Sequence, residues 1–306
     1  MKVLVATEKP FAKAAVEKIQ KITEDAGFEF TLLEKYSEKS ELLNAVKDTE
    51  ALIIRSDKIT KDVIESADKL KIVVRAGAGY DNVDLEAATA NNIVVMNTPG
   101  QNSNAVAELA LGMMVYMARG KFNGKPGTEL KGKTLGIHAY GNVGKLVANI
   151  AKGFGMKINA FDPFIPKEKM EADGVTVYDS AEELYKNSQY ISLHIPANDK
   201  TKNSINYELL SKMPTGATLI NTARKEVVNE ADLVKLLEAR PDFKYASDIA
   251  PNNAEELLQR FEAQCYFTPK KMGAQTAEAN INAGIAAINQ IVGFIKNDDK
   301  TFQVNK

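Results

Sequence analysis

Tryptophan is missing from this 306-residue chain, cysteine occurs once and histidine twice. A lone Cys265 closes no internal disulfide, and CxxC or His-rich spacings are absent, so a disulfide scaffold is excluded and no metal site is expected. The single thiol reads as a small buried apolar group rather than a nucleophile. Lys plus Arg number 39 against 40 for Asp plus Glu, a net charge of −1, with no long run of either sign. Such a balance offers no footprint for nucleic acid or an anionic membrane surface, and neither partner is expected. No stretch approaches the ~18 uninterrupted apolar residues of a membrane span. The opening MKVLVATEKP turns to charge too early for a signal peptide, so a cytoplasmic protein is expected.

What is present is alternation. Short runs rich in β-branched residues at Val3–Ala6, Phe28–Leu33, Ala51–Ile54, Ile72–Val74 and Ile93–Met96 read as strands, separated by helix-period segments. A second series starts at Leu135 and continues through Ile158–Phe161, Tyr190–His194, Ala217–Asn221, Tyr245–Asp248 and Cys265–Thr268. Alternation of this kind implies parallel sheets covered by helices on both faces, hence an α/β fold of two doubly wound parallel-sheet domains. Between the series lies a nearly all-apolar helix, Asn102–Arg119, followed by the turn-rich GKFNGKPG. A last amphipathic helix follows Thr276, with Ile281, Ile285, Ile288, Val292 and Ile295 as its core stripe. Because the second series is already complete there, the chain is expected to cross back, giving domains of 1–97 plus 276–306 and of 98–275.

The segment Leu135–Asp162 carries the strongest chemical signal. It runs strand, glycine turn, helix, strand and acid, with the turn Ala139-Tyr140-Gly141-Asn142-Val143-Gly144. Gly141 lets backbone approach a pyrophosphate, Gly144 permits close helix-to-strand packing, and the helix start offers free N–H groups to the anion. Asp162, eighteen positions after Gly144, suits the ribose hydroxyls of NAD. The first glycine of G-x-G-x-x-G is replaced by Ala139.

In open α/β sheets, ligands collect at the carboxyl ends of strands. Polar residues gather there in this chain: Arg55-Ser56, Arg75-Ala76-Gly77-Ala78-Gly79, Asn221-Thr222-Ala223-Arg224 and Thr268-Pro269-Lys270-Lys271.

These segments, with Asn97-Thr-Pro-Gly-Gln-Asn102, Phe161-Asp-Pro163 and Ile191-Ser-Leu-His-Ile-Pro196, resemble the D-2-hydroxyacid dehydrogenase family in order and spacing from about residue 50 to 280. The resemblance implies a flavodoxin-like substrate domain, a Rossmann NAD domain, a homodimer, and hydride exchange between NAD and a small 2-hydroxy acid. It implies that Arg224 holds the substrate carboxylate and keto oxygen, that the loop Arg75–Gly79 with Asn102 grips the carboxylate, and that His194, Pro196, Thr201, Thr222, Ala223, Arg224 and Asp248 lie on the cofactor side beside Tyr140–Gly144 and Asp162.

Two departures stand out. The family's histidine acid/base slot holds Lys270, and its glutamate partner slot holds Asn253, with Glu255 and Glu256 close by. Lysine is itself a competent acid and needs no carboxylate to fix a tautomer, so the paired change is chemically coherent. The resemblance extends to a branch with lysine in this slot. The loop is one residue longer than usual, so Lys271 stays open beside Lys270. Arg55 and Arg75 could converge on a phosphate, with Lys58 and Lys121 as auxiliary contacts, which favours a phosphorylated acid, 3-phosphoglycerate, and its keto form. The alternatives are a reductase of another small 2-keto acid, such as hydroxypyruvate or glyoxylate, and an NAD-binding regulatory protein without activity. The short tail after the last helix suggests no serine-sensing domain and no feedback inhibition of that type.

Overall fold

The computed structural model describes residues 1–305, which divide into two compact units, 1–102 with 275 onward, and 103–274. In the first unit, strands β1 (Lys2–Thr7), β2 (Glu29–Glu34), β3 (Ala51–Ile54), β4 (Ile72–Arg75) and β5 (Val94–Asn97) alternate with helices α1 (Lys13–Asp25), α2 (Lys39–Ala45), α3 (Lys61–Glu65) and α4 (Leu85–Ala90). In the second, α5 (Ser103–Ala118) precedes β6 (Thr134–His138), α6 (Asn142–Gly153), β7 (Lys157–Phe161), α7 (Lys167–Ala172), β8 (Thr176–Val177) and α8 (Ala181–Lys186). It continues through β9 (Tyr190–Leu193), α9 (Tyr207–Ser211), β10 (Thr218–Asn221), α10 (Glu230–Ala239), β11 (Lys244–Ser247), α11 (Ala254–Arg260) and β12 (Cys265–Phe267), before α12 (Ala277–Asn297) returns to the first unit.

The first sheet is wholly parallel in the order β2-β1-β3-β4-β5, the flavodoxin-like winding. Its strands alternate between two cores. Val3, Val5, Ile53 and Val74 pack toward α1 and α12, and Leu4, Ala6, Leu52, Ile54, Val73 and Val95 pack toward the opposite face. Both faces are covered, which is why these strands read as continuous apolar runs. The buried face of α12 is Ala283, Gly284, Ala287, Ile288 and Ile291, while Ile281, Ile285, Val292 and Ile295 are only half-buried. The expected isoleucine stripe is thus offset. Small residues form the contact because α1 comes close: a Cβ on Gly284 would stand 2.8 Å from Ile19 Cδ1. The tail then protects the edge of β5, with Asn305 Oδ1 accepting from Val95 N–H at 2.7 Å and its amide donating to Ile93 O at 2.8 Å.

The second sheet runs β12-β11-β10-β9-β6-β7-β8, again all parallel. The order reverses between β6 and β9, the switch point of a Rossmann sheet. β8, two residues at the edge, is too short to register in the sequence pattern. α5 buries Ala107, Ala110, Met113, Met114 and Met117, and leaves Asn104, Glu108 and Gly112 exposed, so it does face water on one side. The turn-rich stretch after it folds back on the helix, with Thr128 N–H donating to Ala118 O at 2.9 Å. No helix among the described residues is long and apolar enough to cross a membrane.

Candidate active site

The β6–α6 turn fits a dinucleotide. A Cβ on Gly144 would lie 2.3 Å from the Ala139 carbonyl oxygen and 2.9 Å from Ile137 Cγ2, so only glycine lets α6 sit this close to β6. A Cβ on Gly141 would meet nothing within 4 Å, leaving open space above the turn. No side chain caps α6, so Asn142, Val143 and Gly144 offer their first-turn N–H groups to an anion. Ala139 has φ +78°, the left-handed region, which explains the glycine usual at this position and makes this alanine strained. Asp162 ties β7 to the turn: Oδ2 accepts from Tyr140 N–H at 2.8 Å, and Oδ1 accepts from Phe164 and Ile165 N–H at 2.8 and 3.2 Å. Such a carboxylate is held with its orientation fixed and retains lone pairs for ribose hydroxyls.

At the end of β10, buried Asn221 builds the next turn. Its Oδ1 accepts from Ala223 N–H at 2.9 Å and its Nδ2 donates to Arg224 O at 2.9 Å. The turn leaves Arg224 exposed, with Nη1 bonded to Ala223 O at 2.9 Å. Thr222 Oγ1 and His194 Nδ1 stand 3.5 Å apart, and the shielded Nε2 of His194 has no hydrogen-bond partner. Behind them His138 Nδ1 meets Tyr185 OH at 3.1 Å. Burial pushes the His138 pKa down to about 4 and that of His194 down to about 3, so both rings are neutral.

The ends of β10, β11 and β12 are consecutive along one sheet edge. Arg224 and Lys270 therefore each lie three residues beyond strand ends on the same edge, ends that stand two strand spacings, about 10 Å, apart. Between them, Asp248 follows β11 and accepts from the loop that carries Lys270, through Thr268, Met272 and Gly273.

The other expected site residues have these surroundings. Arg55 Nη1 donates to the carbonyls of Lys9 and Pro10 at 3.1 and 2.9 Å, Nη2 donates to Asn280 Oδ1, and the guanidinium lies over the Phe11 ring. Arg75 Nε donates to Arg55 O at 2.9 Å, and its guanidinium covers Gly77, where a Cβ would stand 1.6 Å from Nη1. Gly77 N–H turns back to Arg75 O, which leaves the N–H groups of Ala78 and Gly79 without an acceptor among the described residues. The Thr201 hydroxyl is used inside its own loop, accepting from Asn198 N–H and donating to Pro196 O. Lys121 donates to Glu262 O, within the second unit. Ser56 is exposed, Ala76 is buried and Asn102 ends the first unit. Asn253 begins α11 with its Oδ1 shielded and unpartnered, while Glu255 and Glu256 face solvent and Glu256 pairs with Arg260. Beside Arg55, buried Asp57 accepts from Glu8 N–H at 2.7 Å, Tyr36 OH at 2.8 Å and Arg55 N–H at 3.1 Å. No cluster of His, Cys, Asp and Glu suited to a metal occurs among the described residues.

Residues 111–269 match the D-isomer specific 2-hydroxyacid dehydrogenase, NAD binding domain. The chain belongs to the D-isomer specific 2-hydroxyacid dehydrogenase family, a family of NAD-dependent oxidoreductases. It is similar over 100% of its length to an NAD+-bound 3-phosphoglycerate dehydrogenase of Entamoeba histolytica, 48% identical with a TM-score of 0.89 and 99% of that chain covered. It is 38% identical to a D-3-phosphoglycerate dehydrogenase of Methanocaldococcus jannaschii over 83% of this chain and 51% of the relative. It is 36% identical to a hydroxypyruvate reductase of Thermotoga maritima over 86% of this chain and 90% of the relative. The chain thus spans about half the length of the curated D-3-phosphoglycerate dehydrogenases it matches.

Proposed function

We propose that this protein interconverts 3-phosphoglycerate and 3-phosphohydroxypyruvate with NAD, the first unit binding the acid and the second the nucleotide. The observation that carries the reading is the common edge of β10, β11 and β12, where an exposed guanidinium and a lysine-bearing loop follow strand ends on one side of the nucleotide turn of the same sheet. Bound NAD supplies the hydride acceptor, and NADH the donor in the reverse direction. Arg224 polarises the C2 oxygen, a contact that strengthens as negative charge grows on that oxygen. The Lys270 ammonium delivers a proton to the oxygen in reduction, and the amine removes it in oxidation. The N–H groups of Ala78 and Gly79 hold the carboxylate. Tyr140–Gly144 and Asp162 hold the dinucleotide, with His194, Pro196, Thr222 and Ala223 along its nicotinamide half. Homodimerisation belongs to the same reading through the resemblance alone.

A second reading, reduction of hydroxypyruvate itself, is favoured by Arg55, whose engaged guanidinium removes half of the expected phosphate pair. Steady-state NADH oxidation with phosphohydroxypyruvate, hydroxypyruvate and glyoxylate decides between them. Preference for the phosphorylated acid, with Lys270→Ala lowering kcat by about 10²–10⁴-fold, is the expected outcome. Equal rates on all three acids transfer the function to the second reading. NADH binding without turnover overturns both.

A further inference from the structure

The loop between β12 and α12 forms no helix or strand of its own. Thr268–Gly273 bears two adjacent lysines, and apart from half-buried Met272 it carries no large apolar side chain. Ordering such a segment costs backbone entropy at every residue. Thr268 N–H continues the ladder to Ser247 O at 3.1 Å, and further fixed points come from Asp248 on the end of β11. Asp248, 1% exposed, accepts from Met272 N–H at 2.6 Å through Oδ1 and from Gly273 N–H at 2.8 Å through Oδ2. The Thr268 hydroxyl shares its one hydrogen between the Asp248 carbonyl at 2.7 Å and Oδ1 at 3.0 Å. Both ends of the loop are therefore bound to a single buried residue, and the lysines stand at the exposed tip between them.

We propose that Asp248 is the positioning residue for the lysine pair, closing Thr268–Gly273 into a fixed loop that aims Lys270. The role of Lys270 in proton transfer rests on the proposed function; the dependence of the loop on Asp248 does not. Only an acceptor-only group satisfies the geometry. An asparagine amide directs its NH₂ at the Met272 N–H or at the Gly273 N–H, whichever way it is turned. Gly273 is part of the same device, because a Cβ there would lie 2.9 Å from Asp248 Oδ2 and 3.2 Å from Val106 Cγ2. The carboxylate expected on the cofactor side also holds this loop, one N–H bond to each oxygen.

The test uses the full chain with Asp248→Asn and Thr268→Val. Limited trypsin digestion, with cleavage after Lys270 or Lys271 followed by mass spectrometry, reads the loop without cofactor or substrate. Keto-acid reduction is measured as kcat and KM separately, and NADH affinity by fluorescence titration. In Asp248→Asn, loop cleavage is expected to accelerate about tenfold as charge-assisted hydrogen bonds are lost. Its kcat is expected to fall about 100-fold, with KM and NADH affinity within about twofold. Thr268→Val is expected to move cleavage and kcat in the same direction by smaller factors. Cleavage at the wild-type rate overturns the proposal, and so does a loss of NADH affinity with kcat preserved, which makes Asp248 a cofactor contact. Should Asp248→Asn not fold, unchanged cleavage and kcat in Thr268→Val overturn it. A wild type that reduces no keto acid removes the proposed function, while faster loop cleavage in the variants still assigns Asp248 to the loop.

Discussion

The two units offer the same raw material at their strand ends and use it differently. In the first, Arg55 follows β3 and Arg75 follows β4, and both guanidiniums fold back onto protein: one onto two carbonyls, an amide and an aromatic ring, the other over Gly77. In the second, Arg224 follows β10 and remains exposed, its guanidinium bonded among the described residues to its own neighbour's carbonyl. A cation at a strand end is thus ambiguous until its donors are counted. Donors already satisfied by backbone stabilise the unit, and donors left open can meet a ligand.

The largest effect that could break this contrast is a matched pair of substitutions. Arg224→Gln is expected to lower kcat/KM by about 10³-fold with little change in the urea midpoint. Arg55→Gln is expected to cost about 1–3 kcal/mol of stability while kcat/KM stays within a few-fold. An Arg55 variant of unchanged stability that raises KM only for the phosphorylated acid would return Arg55 to the ligand class.

Acid sensitivity should also divide the units, because both histidines of the chain lie in the second. An unfolded histidine takes up its proton near pH 6.5, whereas folded His138 resists until about pH 4 because burial disfavours the cation. Between those values the unfolded state binds more protons, so stability falls as pH falls, by up to about 1.4 kcal/mol per pH unit for this group. His194 adds in the same direction. Urea unfolding at pH 7.5 and 5 measures the slope, and His138→Phe should flatten it. An equal slope in that variant would assign acid lability elsewhere.

The smallest effect concerns backbone strain. Gly77 in the first unit holds φ +151° at no steric cost, whereas Ala139 in the second holds φ +78° with a Cβ. Ala139→Gly is therefore expected to stabilise the protein by about 0.5–1 kcal/mol, read from the urea midpoint. A loss of stability would mean that the methyl packs better than the backbone suffers.

Apolar periodicity made most of this fold legible. Strands buried on both faces, such as Ala51–Ile54 and Ile72–Val74, appear as unbroken β-branched runs, and their alternation with helical patterns specifies parallel sheets. The nucleotide turn was legible for a similar reason, since Gly144 and Asp162 answer local demands within one βαβ unit. The offset face of α12 was not, because its contact is set by the approach of Ile19, far away in sequence.

Order of elements, doubly wound class, nucleotide turn and the basic residues at strand ends all follow from patterns a few residues long, which local sterics and burial impose directly. Which of those basic residues stays open does not. Arg55 is closed by Asn280 and Asp248 holds a loop twenty residues downstream, through hydrogen bonds whose partners become neighbours only after folding. Hydrogen bonding is short-ranged and directional, so the assignment of donors to acceptors was decided by the tertiary structure alone.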